Sequence, residues 1–263
     1  MTISRNGRAP MFLLERAGKS YPGVVALAPL SLEIEAGERV AIVGPSGSGK
    51  TTLLHILGGV IQPGQGRVLI DGRPMAGLPR GRELAGLVGM IHQQFDLVPR
   101  LSVVHNVLAG RLGYWGLWRS LVSLISPQER HLALAALRKA GIEEKLGERT
   151  SRLSGGEQQR VAIARLLVQD PQAILADEPV ASLDPARAQD LMRLLRAIAE
   201  ESGKTLIASL HSVELVRAHF SRAIGLRKGR VCFDLPIAQL TDEMLTQLYD
   251  LEGFRDGILA PVS

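Results

Sequence analysis

The run Gly44-Pro45-Ser46-Gly47-Ser48-Gly49-Lys50-Thr51 constrains the fold more than any other part of the chain. It matches the phosphate-loop pattern G-x-x-x-x-G-K-[ST] at every specified position. A glycine-rich turn in isolation need bind nothing, so its surroundings matter. The apolar run Val40 to Val43 precedes it and the helix-like run Thr52 to Leu57 follows. That order predicts a buried parallel strand, a tight loop and a helix whose N-terminus faces the loop. The glycines let backbone N–H groups close round an anion, and the helix dipole favours negative charge there. Lys50 can reach the β- and γ-phosphates of a nucleotide, and the Thr51 hydroxyl can ligate Mg²⁺. Pro45, Ser46, Ser48 and Thr52 complete the expected set of nucleotide contacts.

The bulk properties permit this and exclude little else. With 263 residues the chain can bury one large α/β core, alone or with a subdomain. A net charge of +5 and a pI near 9.7 suit an anionic ligand, nucleic acid or an anionic membrane face. The single Cys232 excludes an internal disulfide and a multi-cysteine metal site. Between Val231 and Phe233 it reads as a buried structural thiol on a strand. The uncharged stretch Thr51 to Gly66 is too short to span a membrane and is broken by Gly58, Gly59, Pro63 and Gly64. Met11 to Leu14 is too brief for a signal segment. The chain is therefore expected to be soluble and cytoplasmic, with room to sit on a membrane protein.

Along the chain, residues 1 to 10 read as a loose tail. Leu32 to Glu35 alternates like a half-exposed strand, and Val68 to Ile70 is a strand ending in a turn at Asp71-Gly72. Roughly 95 to 152 has helical periodicity and lacks a convincing long β-run, which predicts a helical insertion into the core. Within it, Arg111 to Ser126 carries both tryptophans, Trp115 and Trp118, with Tyr114, Arg111 and Arg119. This segment reads as a loop packing its aromatics on the subdomain, or as an exposed docking surface. Further on, Asp184 then Pro185 is an N-cap with proline at the first helical position. Leu191, Leu194, Leu195 and Ile198 continue that helix at i, i+3, i+4 and i+7, and Gly203 stops it. Ile224 to Asp234 reads as a hairpin turning at Lys228-Gly229, and Thr241 starts a terminal helix.

Three further features carry chemistry. Ala173 to Ala176 is a short apolar strand that ends at Asp177-Glu178. At that place Asp177 suits a Mg²⁺ ligand, and Glu178 can reach toward an attacking water as general base. An Asp-Glu pair alone is usually a solvated turn; the buried strand and the phosphate loop give it its meaning. Ser154-Gly155-Gly156 opens another helix and offers free N–H groups without a lysine, which can complete a phosphate contact made elsewhere. By itself it would be an ordinary serine N-cap. His211 ends the strand Thr205 to Leu210.

Leu153-Ser154-Gly155-Gly156-Glu157-Gln158-Gln159-Arg160, with the phosphate loop and Asp177-Glu178 in this order, resembles the signature motif of ABC-type ATPases. The resemblance covers about residues 12 to 250. It implies that two copies face each other and close on two ATP molecules. Each site would take its phosphate loop from one chain and Ser154 and Gly156 from the other. It also implies that Tyr21 stacks on adenine and that Gln93, rather than its neighbour Gln94, senses Mg²⁺ and the γ-phosphate. His211 would contact the γ-phosphate, and Ser182-Leu183-Asp184 would lie at the dimer seam. His92 departs from the aromatic common before this glutamine, which touches local packing rather than the glutamine itself. Met90 to Val103, Asn106 to Ser120 and Ala176 to Pro185 are similar to the ATPase subunits of bacterial phosphonate importers.

The expectation is thus an α/β fold: a P-loop NTPase core with an antiparallel β subdomain and an inserted helical subdomain. Residues 11–94 and 153–235 would form the core, 95–152 the helical subdomain and 236–263 a C-terminal helical segment, all within one ATPase domain. The resemblance implies ATP and Mg²⁺ as cofactors and a homodimer as the working unit. Its partners would be integral membrane permease subunits and, indirectly, a periplasmic or surface solute-binding protein. The place of work would be the cytoplasmic face of the inner membrane, peripherally bound. Two other readings stay open here. One is an importer ATPase for phosphate, amino acids or another polar solute. The other is a soluble ABC ATPase acting on nucleic acid or ribosomes, disfavoured by the absence of a second cassette.

Overall fold

A computed structural model of the chain describes residues 9–79, 81–181 and 183–250, with the side chains of Leu124 and Ile125 outside the description. The expected N-terminal tail lies almost wholly outside it, as do Ser182 and the end of the expected C-terminal segment.

Two sheets make the frame. β1 (Phe12–Tyr21), β2 (Val24–Ile34), β4 (Gln65–Ile70) and β5 (Arg73–Pro74) form an antiparallel sheet in the order β2-β1-β4-β5. The other sheet contains β3 (Arg39–Val43), β6 (Val88–Ile91), β7 (Ala173–Asp177), β8 (Thr205–Ser209), β9 (Arg222–Arg227) and β10 (Arg230–Pro236). Its order is β10-β9-β3-β8-β7-β6, and all neighbours are parallel except the β9–β10 hairpin. The β7 and β8 strands are buried at every residue, which is why they read as near-continuous apolar runs, Ala173 to Ala176 and Leu206 to Ala208, with polar residues only at their ends. The hairpin turns where expected, with Lys228 and Gly229 both at positive φ (47° and 73°), the backbone a two-residue turn of matching twist requires.

The helices form around these sheets. They are α1 (Lys50–Leu57), α2 (Arg82–Leu87), α3 (Val103–Leu108), α4 (Leu117–Ile125), α5 (Arg130–Lys139), α6 (Gly155–Gln169), α7 (Pro185–Ser202), α8 (Val213–His219) and α9 (Asp242–Tyr249). Asp184 caps α7 by accepting from Arg187 N–H at 3.0 Å, and Gly203 ends it in the left-handed region. Thr241 caps α9 through Met244 N–H. Between α3 and α6 lies the helical region, with its own core of Val103, Val107, Leu108, Trp115, Ala133 and Leu137. Helix α6 serves two cores: Val161, Ala164 and Val168 face the helical region, while Ile163 and Leu166 face the large sheet.

Segment 111–126 corrects the expectation of a loop. Most of it is helix α4, because Leu117, Trp118, Leu121 and Val122 recur at helical spacing. Its tryptophans part company: Trp115 is 9% exposed and belongs to the helical core, whereas Trp118 is 80% exposed beside the exposed Leu117, Leu121 and Val122. Glu129 ties α4 down through Arg119 at 2.8 Å and also meets Arg111 at 3.4 Å. Cys232 is half-buried on β10 and its thiol is pushed above the ordinary range by burial.

Candidate nucleotide site

Strand register decides which side chains meet. Ser209 at the end of β8 lies opposite Ile42 on one side and Asp177 on the other. The C-terminal ends of β3, β7 and β8 therefore align, and the chain leaves them as Gly44, Glu178 and Leu210-His211. Ligands of open α/β sheets bind at this edge.

The phosphate loop begins where β3 ends. Gly44 has φ +150°, and a Cβ there would stand 2.0 Å from the Leu226 carbonyl oxygen, so no larger residue fits. Gly49, at φ +105°, would meet the Ala26 carbonyl at 2.6 Å, and it is also the N-cap of α1. Lys50 is buried, and its Nζ donates to the carbonyls of Gly44 (2.8 Å) and Pro45 (3.1 Å). Burial pulls its pKa below the ordinary lysine value, while the nearby Glu178 and Asp177 oppose that shift. Ser48 is buried with its hydroxyl unpartnered. A buried cation, a free buried hydroxyl and a helix N-terminus without an acidic residue in its first turn fit a phosphate. Thr51 and Thr52 lie in that first turn.

Beside the loop stands a bonded cluster. Asp177 is 5% exposed and accepts from the Ser209 hydroxyl at 2.7 Å. The same hydroxyl accepts from Glu178 N–H at 2.8 Å, which ties the two acidic residues to one serine. Glu178 takes a left-handed backbone, φ 47°. Its Oε1 accepts from His211 Nε2 at 2.7 Å, which puts a proton on that nitrogen, and its Oε2 accepts from Gln93 Nε2 at 3.4 Å. Gln93, Glu178 and His211 are thus brought together from the ends of three neighbouring strands.

The loop after β6 is held from α6. Arg165 donates to the carbonyls of Phe95 and Asp96, both at 2.7 Å, and both of those residues have positive φ. His92 packs near His55, with ring centroids 5.8 Å apart, and burial holds it below the ordinary histidine value. Ser154 forms a capping box: its hydroxyl accepts from Glu157 N–H at 3.3 Å and Glu157 accepts from Ser154 N–H at 2.7 Å. Hydrogen bonds from the Ser154 N–H and, next, its hydroxyl hold the Glu157 carboxyl below the usual range. Ser154 and Gly156, with Gly155 between them, line a cavity with Gln159, Arg160, Leu183 and Arg187. Among the described residues no hydrogen bond joins this turn to the phosphate loop of the same chain. Tyr21 is exposed at the end of β1, with Lys19 Nζ 5.6 Å from its ring. Of the expected dimer-seam residues, Ser182 lies outside the described residues.

Three functional neighbours escape sequence reading: Ser209, Arg165 and Tyr249. The Tyr249 hydroxyl accepts from Gly44 N–H at 3.2 Å. Each acts through a partner more than thirty residues away, and none carries a local motif.

Residues 27–181 match the ABC transporter family. The chain is 48% identical to the phosphonates import ATP-binding protein PhnC of Anaeromyxobacter dehalogenans, over 99% of this chain and 52% of that one. It thus spans about half the length of that relative. It is also 48% identical to the protein of the same name from Pseudomonas putida, over 86% of this chain and 85% of the other. Among solved structures, the ATP-binding cassette MJ0796, dimeric in a post-hydrolysis state with ADP and Pi, is 35% identical with a TM-score of 0.75. That likeness covers 86% of this chain and 99% of the other. The cassette cbiO1 from Clostridium perfringens, part of the ABC transporter complex cbiONQ, gives 29% identity and a TM-score of 0.72, over 87% and 89% of the two chains. The chain therefore belongs to the ABC transporter family of ATP-binding cassettes.

Proposed function

We propose that this chain is the ATP-hydrolysing subunit of an importer that takes up phosphonates through a membrane permease. The observation that carries the enzymatic part is the meeting of Gln93, Glu178 and His211 beside Lys50 and Asp177. Lys50 binds the β- and γ-phosphates, and the loop amides and the α1 N-terminus share the anionic charge. Among the described residues no group of three or more His, Cys, Asp or Glu could hold a metal unaided. Mg²⁺ would accordingly be held by Thr51, Asp177 and Gln93 together with the nucleotide's own oxygens. It would supply charge neutralisation on the phosphates. Glu178 orients and deprotonates the attacking water, and its hydrogen bond to His211 fixes the carboxylate and places the histidine at the γ-phosphate end.

Ser154, Gly155 and Gly156 act on nucleotide held by a second copy, which agrees with the lack, among the described residues, of a hydrogen bond from that turn to its own phosphate loop. Tyr21 offers an exposed ring to adenine. Residues 11–94 and 153–235 work as the core, 95–152 as the helical subdomain that moves with Gln93, and 236–263 as a C-terminal segment. No helix of the described residues is long and apolar enough to cross a membrane. In this reading the passage belongs to permease subunits, at whose cytoplasmic face the dimer sits. A solute-binding protein would deliver the cargo. The exposed apolar face of α4 is the surface this reading assigns to the permease.

The cargo follows from the likeness to the two phosphonates import ATP-binding proteins. Deleting the gene should stop growth on a phosphonate as sole phosphorus source and spare growth on inorganic phosphate. The wild-type chain should restore growth and Lys50→Ala should not. Unchanged phosphonate uptake in the deletion strain, with no second importer present, would reject the cargo.

A further inference from the structure

We propose that Tyr249, on the C-terminal helix, is a positioning residue for the phosphate loop, and that its hydroxyl sets the loop's affinity for nucleotide. The proposal rests on the reading of that loop as the ATP site.

Gly44 is where the sheet stops providing partners. Val43 is the last residue of β3 in register with β9, opposite Gly225. The next amide, Gly44 N–H, is partly buried and needs an acceptor of its own. It finds the Tyr249 hydroxyl at 3.2 Å, across 205 residues of sequence. The other end of the same residue, the Gly44 carbonyl, accepts from Lys50 Nζ at 2.8 Å. One glycine thus links the tyrosine to the lysine that is to hold phosphate. The Leu226 carbonyl blocks movement on a third side, at the place a Cβ would occupy.

The hydroxyl does not hang on a loose helix. At the start of α9, Arg217 donates to the Leu240 carbonyl at 3.2 Å and to Asp242 at 2.7 Å. At its end, Arg227 donates to the Gln247 carbonyl at 2.7 Å and to the Asp250 carbonyl. Leu245 and Leu248 are buried in the core shared with α7 and α8. Burial raises the phenol above its ordinary pKa, so the group meeting Gly44 is the neutral hydroxyl. If the ring served packing alone, phenylalanine would replace it without effect on nucleotide. If the hydroxyl holds the amide, phenylalanine leaves Gly44 N–H without an acceptor and frees the first residue of the loop.

The test is Tyr249→Phe in the full chain, with ATP binding followed by calorimetry and turnover by phosphate release. Affinity for ATP should fall about three- to tenfold, the range of one neutral hydrogen bond, with the loss seen in KM rather than kcat. Hydrogen exchange should quicken in the peptide spanning residues 40–50 and stay unchanged in the β7–β8 region. Wild-type affinity would overturn the proposal. So would an affinity loss accompanied by faster exchange throughout the chain, which is the mark of a packing residue. If the variant does not fold, exchange in the wild-type chain decides: the Gly44 amide must be protected without nucleotide, and free exchange there overturns the proposal. Lys50→Ala run alongside separates the two readings. ATP binding retained by Lys50→Ala would sink the site itself, whereas binding lost there but unchanged in Tyr249→Phe would sink the role of Tyr249 alone.

Discussion

Replacing Ser209 by alanine should damage this protein out of proportion to the single oxygen removed. The side chain is fully buried. Its hydroxyl donates to Asp177 at 2.7 Å and accepts from Glu178 N–H at 2.8 Å. Alanine leaves both groups without that partner. A buried polar group left unsatisfied costs about 1–3 kcal/mol, and a charged one more. The two together give a loss of roughly 2–5 kcal/mol, a large share of the ~5–15 kcal/mol that holds a typical domain. Asp177 is 5% exposed, so water can make up little of it. Urea denaturation at constant slope measures the loss directly. Ser209→Cys should fall between serine and alanine, because a thiol is a weaker donor and acceptor of similar shape. ATP turnover should fall in the same order, since Asp177 and the Glu178 backbone lose their common tie. An alanine variant within about 0.5 kcal/mol of wild type, the usual size of a featureless substitution, would refute the reasoning. A cysteine variant less stable than alanine would refute it as well.

The tryptophans should separate in the same denaturation assay. Trp115→Ala should lose about 3–5 kcal/mol as a large core truncation, and Trp118→Ala should stay within about 0.5 kcal/mol; equal losses would show that the burial is misassigned. Stability should also fall as pH drops below about 6.5, the ordinary histidine value. Burial, with Arg196 and Arg193 nearby, holds His219 below that value, so the unfolded chain takes up its proton first and is favoured as acid is added. The fall should level off below the folded-state pKa, and His219→Gln should remove part of the slope; an unaltered slope would sink the assignment.

What could be read from the sequence was what local chemistry fixes. The phosphate loop, the Asp184-Pro185 start and Gly203 stop of α7, the Lys228-Gly229 turn and the Thr241 cap are each decided by neighbouring residues, and each stands where the sequence put it. The roles of Ser209, Arg165 and Tyr249 depend on strand register and helix docking, which no short segment encodes. Ser209 is one more residue of a buried strand until register sets it opposite Asp177. The α4 segment shows the intermediate case. Its helical period was present in Leu117, Trp118, Leu121 and Val122, but the aromatic and basic cluster suggested one shared environment for both tryptophans. The side of each that would be covered depended on where Glu129 and the helical core lie.

Glu178 shows how local geometry serves chemistry at this edge. At φ 47° it occupies a backbone region that side chains with a Cβ enter at a cost of about 1–2 kcal/mol. Its amide is held by Ser209 and its carboxylate by His211 and Gln93, so the surroundings impose the conformation rather than the residue choosing it. This can be isolated by comparing Glu178→Ala with Glu178→Gly. Both lose the carboxylate, so both should lose turnover by about 10²–10⁴, the usual contribution of a positioned base. Both also abandon His211 and Gln93 equally, and that loss cancels between them. What differs is the Cβ. Glycine removes the left-handed penalty but gives the unfolded chain more freedom, worth about 0.4–1 kcal/mol against it. The balance leaves the glycine variant more stable than the alanine variant by roughly 0.5–1 kcal/mol, the reverse of their usual order. An alanine variant at least as stable as glycine would mean that the residue after Asp177 is unstrained, and that the carboxylate reaches His211 and Gln93 at no conformational cost.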